Sequence, residues 1–258
     1  MCGGQNRAFA MKTTFLAAVC LSVVTGTLAH ATTVTVNATD DIYAAGLASP
    51  PSFDHGGGTL PTGIPVTGGT VVTFSVTGSV TLDSGGFFNN PDGTGSEVSQ
   101  STNAGYGSIA GVAAPNDGYL VGLFVPAGGP TGPQPTSLDF RTGGNVPDGT
   151  AFISLAPLLD QTFFIGDGQT GDGTGTVQKF LVPNGAAILY LGISDSRFYG
   201  APGYPCCNDP SWYIDNSGTF EVTIAETPLP ATLPLFASGL GALGLLGWHR
   251  KKKAALAA

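Results

Sequence analysis

Asp195 closes the run Gly192-Ile193-Ser194-Asp195, and Trp212-Tyr213-Ile214-Asp215-Asn216-Ser217-Gly218 leads into a second run, Thr219–Ile224. Two carboxylates and an amide so placed are hard oxygen donors. Calcium takes about six to eight oxygens from carboxylates, amides, main-chain carbonyls and water. If the two runs are strands joined as a hairpin, their ends gather three oxygen side chains at one edge of a sheet. Asp-Asn-Ser-Gly is also an ordinary turn sequence, so the spacing alone leaves both readings open.

Other chemistry finds few residues to work with. Between Thr32 and Thr227 the only histidine is His55, in the glycine-rich stretch Asp54-His55-Gly56. A histidine-based zinc site or a Ser-His-Asp triad would need partners that are missing. No Gly-x-Ser-x-Gly elbow or phosphate loop occurs. The acids form many pairs and none is singled out as a catalytic couple, so a non-catalytic protein is expected. Cys206 and Cys207 are adjacent. In an oxidising compartment an even count favours pairing. Neighbouring Cα atoms sit only ~3.8 Å apart, so a bond between these two closes a strained ring. A vicinal disulfide, free thiols, bridges to another chain and capture of a soft metal all stay open.

The elements that must position these groups are predicted to be strands. Charged residues make up 10% of the 258-residue chain, against ~25% in soluble domains. With 40 glycines and 19 prolines, the backbone turns often. β-Branched and aromatic enrichment marks Thr33–Val36, Val71–Val76, Tyr119–Val125, Gln161–Ile165, Val177–Val182, Ala187–Ile193 and Thr219–Ile224 as strands. The last alternates polar and apolar residues, as a half-buried antiparallel strand does. Gly166-Asp167-Gly168 and Pro183-Asn184-Gly185 read as turns. Ala48–Gly69 and Ala127–Asp148 read as long loops. Many short strands without helical periodicity predict an all-β fold, a β-sandwich. From Thr32 to Thr227 three basic residues face seventeen acids, a net charge of −14. Such a domain repels phosphate backbones, which argues against nucleic acid as a partner.

The stretch from Ala186 to Asp195, with Asp215-Asn216-Ser217-Gly218-Thr219-Phe220, resembles the LecA (PA-IL) galactophilic lectin family, and Gly69–Gly78 resembles an earlier strand of it. The resemblance covers about Thr32–Ala225. It implies a jelly-roll-like β-sandwich with calcium bridging protein and sugar hydroxyls. It further implies that Asp195, Asp215 and Asn216 bind calcium by side chain and Trp212 by its carbonyl, with another carbonyl near Leu82. Asp195 would also accept a sugar hydroxyl. The chain departs from the family in a long insert carrying Pro205-Cys206-Cys207-Asn208-Asp209, in Asp215 where the family has asparagine, and in lacking the family's sugar-contacting His and Gln. A galactose preference is therefore not implied. Tyr204 and Tyr213 are candidates for contact with a sugar ring, alongside Tyr199 and Trp212.

The two ends carry transport signals. Met11-Lys12-Thr13-Thr14, the apolar run Phe15–Val24 and the small-x-small site Ala29-His30-Ala31 read as a signal peptide. It spans residues 1–31, with Met11 the better start, and signal peptidase is its partner. At the other end Ala231–Trp248 is 18 uncharged apolar residues, followed by His249 and the basic run Arg250-Lys251-Lys252-Lys253. At ~1.5 Å per residue it reaches across a hydrocarbon core, and the basic run is a cytoplasmic stop. With Pro228-Leu229-Pro230-Ala231 in front, residues 226–258 resemble the PEP-CTERM sorting tail in its VPLPA variant. That resemblance implies processing by an exosortase, passage through the inner membrane, and an association with exopolysaccharide or biofilm at the cell surface or in the matrix. The expectation is an exported, calcium-assisted carbohydrate-binding module whose partner is an extracellular polysaccharide or glycan. The alternative is a structural envelope or matrix protein that binds no sugar.

Overall fold

The structure, a computed structural model, describes residues 30–49, 58–82, 86, 88–95, 101–193, 195 and 212–228. They form the strands β1 (His30–Asn37), β2 (Gly63–Pro65), β3 (Thr70–Thr81), β4 (Phe88–Asn89), β5 (Ser101–Tyr106), β6 (Ile109–Ala114), β7 (Leu120–Val125) and β8 (Leu138–Asp139). The second half adds β9 (Ser154–Leu155), β10 (Phe163–Phe164), β11 (Gln169–Gly171), β12 (Thr174–Val177), β13 (Lys179–Leu181), β14 (Ile188–Ile193) and β15 (Ser217–Pro228). One sheet runs β1-β15-β3-β13-β9, with β4 on the far end of β3; the second runs β10-β7-β14-β2. A β5-β6-β8 sheet and a β11-β12 hairpin complete the set.

The sequence explains the layers. Along β15, Phe220, Val222 and Ile224 are buried while Thr219 and Glu221 are exposed, so period-two alternation turns one face inward. β3 supplies Val72, Phe74 and Val76 to the same cluster. In the other sheet every residue of β7 is buried. β7 is flanked by β10 and β14, and a 3-10 turn at Ile42–Ala44, itself buried, packs against it. Aromatic pairs tie the sheets together: Phe163 of β10 lies 5.3 Å from Phe180 of β13 with the rings tilted, and Phe180 meets Phe74 of β3 edge-on at 5.1 Å. The result is a β-sandwich with one contiguous core.

Ile224 is 4% exposed on the strand between β1 and β3. Ile224→Val removes one methylene from that packing and is expected to cost about 1 kcal/mol, read as a lower urea midpoint with unchanged slope.

Each of the seven predicted strands overlaps an observed one. The predicted loops are more structured than expected, since Ala48–Gly69 contains β2 and Ala127–Asp148 contains β8. β5 and β6 were not predicted. Ile109-Ala-Gly-Val-Ala-Ala has little β-branched character, yet it is wholly buried and paired on both sides. Tertiary burial outweighs local preference there. β1 starts at His30, so the predicted leader boundary after Ala31 falls inside a strand, and β15 runs past Ala225 to Pro228. The rest of the predicted leader and sorting tail, with the span Ala231–Trp248, lies outside the described residues. Among the described residues no helix is long and apolar enough to cross a membrane.

Candidate functional site

Register brings the candidate acids to one end of the sandwich. Ile193 at the close of β14 pairs with Leu120 at the start of β7, and Ser217 at the start of β15 pairs with Thr81 at the close of β3. β1 ends nearby, with Asn37 opposite Thr219. The chain leaving β1 then crosses the end of β14, where Asp41 bridges to Ile193. Strand ends from both sheets therefore converge, and the segments between them carry Asp40, Asp41, Asp117, Asp195, Asp215 and Asn216.

This arrangement corrects the predicted hairpin. β14 lies between β7 and β2, while β15 lies between β1 and β3 in the other sheet. Neither has a free edge for the other. Asp195 and the Asp215-Asn216 pair meet across the open end of the sandwich, not across a turn.

Asp195 is 5% exposed. Burial pushes its carboxyl well above the ordinary carboxylate range, and the charge of Asp117 adds to that; a hydrogen bond from the Asn216 side chain opposes it, while Asp215 and Asp41 push further upward. Asp117, Asp215 and Asp41 therefore all lie within electrostatic reach of Asp195. Asn216 also donates from Nδ2 to the Ala38 carbonyl at 3.1 Å. Three acceptor oxygens, Asp195 Oδ2, Asp215 Oδ1 and Asn216 Oδ1, are buried without a hydrogen-bond donor. An acceptor left so is costly unless something positive meets it.

The neighbouring acids are held in place. Asp41 caps the 3-10 turn by accepting from Tyr43 N at 2.8 Å, and Asp117 accepts from Gly118 N at 3.0 Å. Asp40 takes the Asn37 main-chain N–H at 2.7 Å and the Thr59 hydroxyl at 2.9 Å. Gly118 has φ +70°, and a Cβ on it would fall 2.5 Å from Asn89 Nδ2 and 3.0 Å from Leu82 Cδ1. Leu82 and Asn89 therefore close over the Asp117 turn.

The aromatic candidates divide. Tyr213 is buried, and its hydroxyl donates to the Ile193 carbonyl. Burial, then the charges of Asp41 and Asp195, raise its phenol well above the usual range. Its ring locks the end of β14 and offers no face to a sugar, against the expectation of contact there. Trp212 and Ile214 beside it are 36% and 73% exposed. Tyr204, Cys206, Cys207, His55, Leu229, Pro230, Ala231 and the basic run Arg250–Lys253 lie outside the described residues; Pro228 ends β15 opposite Thr70.

Sequence reasoning passed over Asp41, Asp117 and Asn89. The available signal was positional, because Asp40-Asp41 follows one strand and Asn116-Asp117-Gly118 precedes another. Among the described residues no group of three or more His, Cys, Asp and Glu side chains is spaced to hold a metal. A cation at this end would thus depend on the Asn216 amide and main-chain carbonyls as well as on carboxylates.

No protein-family model matches the chain, and no curated protein does. Among solved structures, the EclA N-terminal domain, a PllA-like lectin, aligns with 75% of this chain and 94% of its own at 14% identity and a TM-score of 0.35.

Proposed function

We propose that this is an exported, non-catalytic carbohydrate-binding protein in which calcium helps to hold the sugar, on a jelly-roll-like sandwich. One observation carries the reading: at the convergent strand ends, oxygens of Asp195, Asp215 and Asn216 are buried with no donor. Oxygen donors of mixed charge suit a hard cation. Asp195, Asp215 and Asn216 would hold calcium, with carbonyls near Trp212 and Leu82 as further donors. The ion would supply a positive centre for vicinal hydroxyls. Exposed Trp212 and Ile214 lie beside the acids, and such a surface complements the apolar face of a sugar ring. The lectin-like sequence pattern supports the same reading. Export, exosortase processing and a place in exopolysaccharide or biofilm rest on the two sequence ends.

A glycan array probed with the full chain, in calcium and in chelator, tests the proposal. Binding to polysaccharide fragments in calcium, lost in chelator, is expected. A blank array in both conditions would reject sugar binding and leave a structural envelope or matrix role.

A further inference from the structure

One edge of the sandwich lacks the usual protection. β1 ends its sheet, and among the described residues it pairs with β15 alone. The other ends of the two main sheets are short strands, two residues each in β9 and β10 and three in β2. β1 has eight residues, His30-Ala-Thr-Thr-Val-Thr-Val-Asn, with no proline, no Asp, Glu, Lys or Arg, and no bulge in its register. Charge, proline, bulges and shortness are the means by which sheet edges avoid pairing with another chain. β1 has none of them.

The ladder shows which groups face outward. The Ala38 N–H donates to the Gly218 carbonyl at 3.0 Å, on the register that joins β1 to β15. Bonded residues alternate along an antiparallel ladder. Val36 and Val34 therefore bond inward to β15, and Thr33 and Thr35 turn their N–H and C=O groups away from it. Asn37, next in that outward series, uses its N–H on Asp40 Oδ2 at 2.7 Å, off the sheet. On the inner face Val36 is 2% exposed, while Val34 is only half-buried at the margin of the core.

These features select a second copy of the same strand. Thr33 and Thr35 stand symmetrically about Val34. A twofold axis there sets Thr33 of one copy opposite Thr35 of the other, and each such pair exchanges two N–H···O bonds. The two Val34 residues then meet as a close, non-bonded pair with Cα atoms about 4.5 Å apart, covering apolar surface that one copy leaves open. Charge does not oppose the join. Glu221, beside β1 on β15, already accepts from the Thr35 hydroxyl at 2.7 Å, and antiparallel strands send the two acidic ends, which lie beyond Asn37, in opposite directions.

We propose that the chain forms a twofold dimer by antiparallel pairing of β1 with β1 of a second copy, centred on Val34, so that the larger sheet continues from one copy into the other. One such edge per copy closes the assembly at two. Thr33 and Thr35 both follow the predicted leader boundary after Ala31, so the join does not need the leader. It is independent of calcium and of sugar.

Sedimentation of the full chain in EDTA, together with oxidative cross-linking, tests it. A mass of two chains is expected at micromolar concentration. Thr33→Lys combined with Thr35→Lys sets like charges opposite each other across the join, from positions that are exposed in one copy, and should weaken dimerisation about tenfold. Thr33→Pro removes an outward N–H and no bond to β15, so it decides if the lysine variant fails to fold. Val34→Cys should give a covalent dimer on a non-reducing gel, beyond any that the wild type forms through its own cysteines, and Thr33→Cys should not. A monomer throughout the micromolar range overturns the inference. So does association that a folded lysine or proline variant leaves unchanged, which would belong to another surface or to the predicted apolar tail. A dimer in which Val34→Cys cross-links no better than Thr33→Cys overturns the register, and with it the twofold join.

Discussion

Saturating calcium is expected to raise the melting temperature of the chain by about 5–10 °C, and Asp195→Asn to abolish that rise while stabilising the calcium-free protein. The two halves follow from the same buried carboxyl. Without a cation, Asp195 sits in a low-dielectric end beside Asp117, Asp215 and Asp41, so charge there opposes folding. The amide of Asn has nearly the same shape, keeps an acceptor for Asn216 and carries no charge, which relieves the repulsion. A cation that binds only the folded chain stabilises by mass action, about 2.7 kcal/mol at a hundred times its dissociation constant. For a domain of this size each kcal/mol moves the midpoint by about 2–4 °C. Thermal melts in EGTA, calcium and magnesium read all of this at once. A structural carboxylate without metal would give the opposite pattern, a variant less stable in EGTA and a wild type indifferent to calcium. An Asp195→Asn chain that keeps the full calcium rise would remove Asp195 from the ligand set.

The layers of this fold are legible in the sequence because burial on one face imprints a period of two. Phe220, Val222 and Ile224 alternate with exposed neighbours, and β3 and β15 lie along predicted runs. β6 is illegible for the converse reason: alanine and glycine are admitted by close packing on both faces, which leaves no periodic mark. The site was half legible. Asp195, Asp215 and Asn216 stand at strand boundaries that the pattern marks, so their place at an end could be foreseen. Their route to one another could not, because a hairpin and a crossover between sheets read alike until β14 is seen paired with β7 and β15 with β3. Asp41 and Asp117 are turn residues by type, and only the assembled sandwich turns them into neighbours of Asp195. Tyr213 shows the opposite failure. Its position suggested a surface aromatic, but the hydroxyl has a main-chain partner inside, which lets the whole ring be buried.

Asp92 gives the second large effect, and its sign runs against the usual picture of a stabilising carboxylate. Its carboxyl is raised from 3.8 to about 7, first by burial and next by the charge of Asp167, with the Asp167 main-chain N–H pulling the other way and Asp172 adding a smaller upward push. A carboxyl whose folded value lies above its unfolded value binds its proton more tightly in the native chain. Stability is then full below about pH 4 and is lost as pH rises toward about 7, beyond which the loss is constant. The side chain is partly exposed, so water and salt screen much of this and leave about 2 kcal/mol. Asp92→Asn keeps an oxygen for the Asp167 N–H and replaces Oδ2, which is buried without a donor, with an uncharged amide nitrogen. The variant is expected to match the wild type near pH 4 and to exceed it by about 4–8 °C at pH 8. Melts across that range in EGTA check it, since removing free calcium isolates the Asp92 contribution. A wild type and variant whose difference is flat with pH would mean that Asp92 is ionised in the native chain at little cost. Water would then have to reach Oδ2, which is buried without a donor, to hold a charged carboxylate facing Asp167 and Asp172.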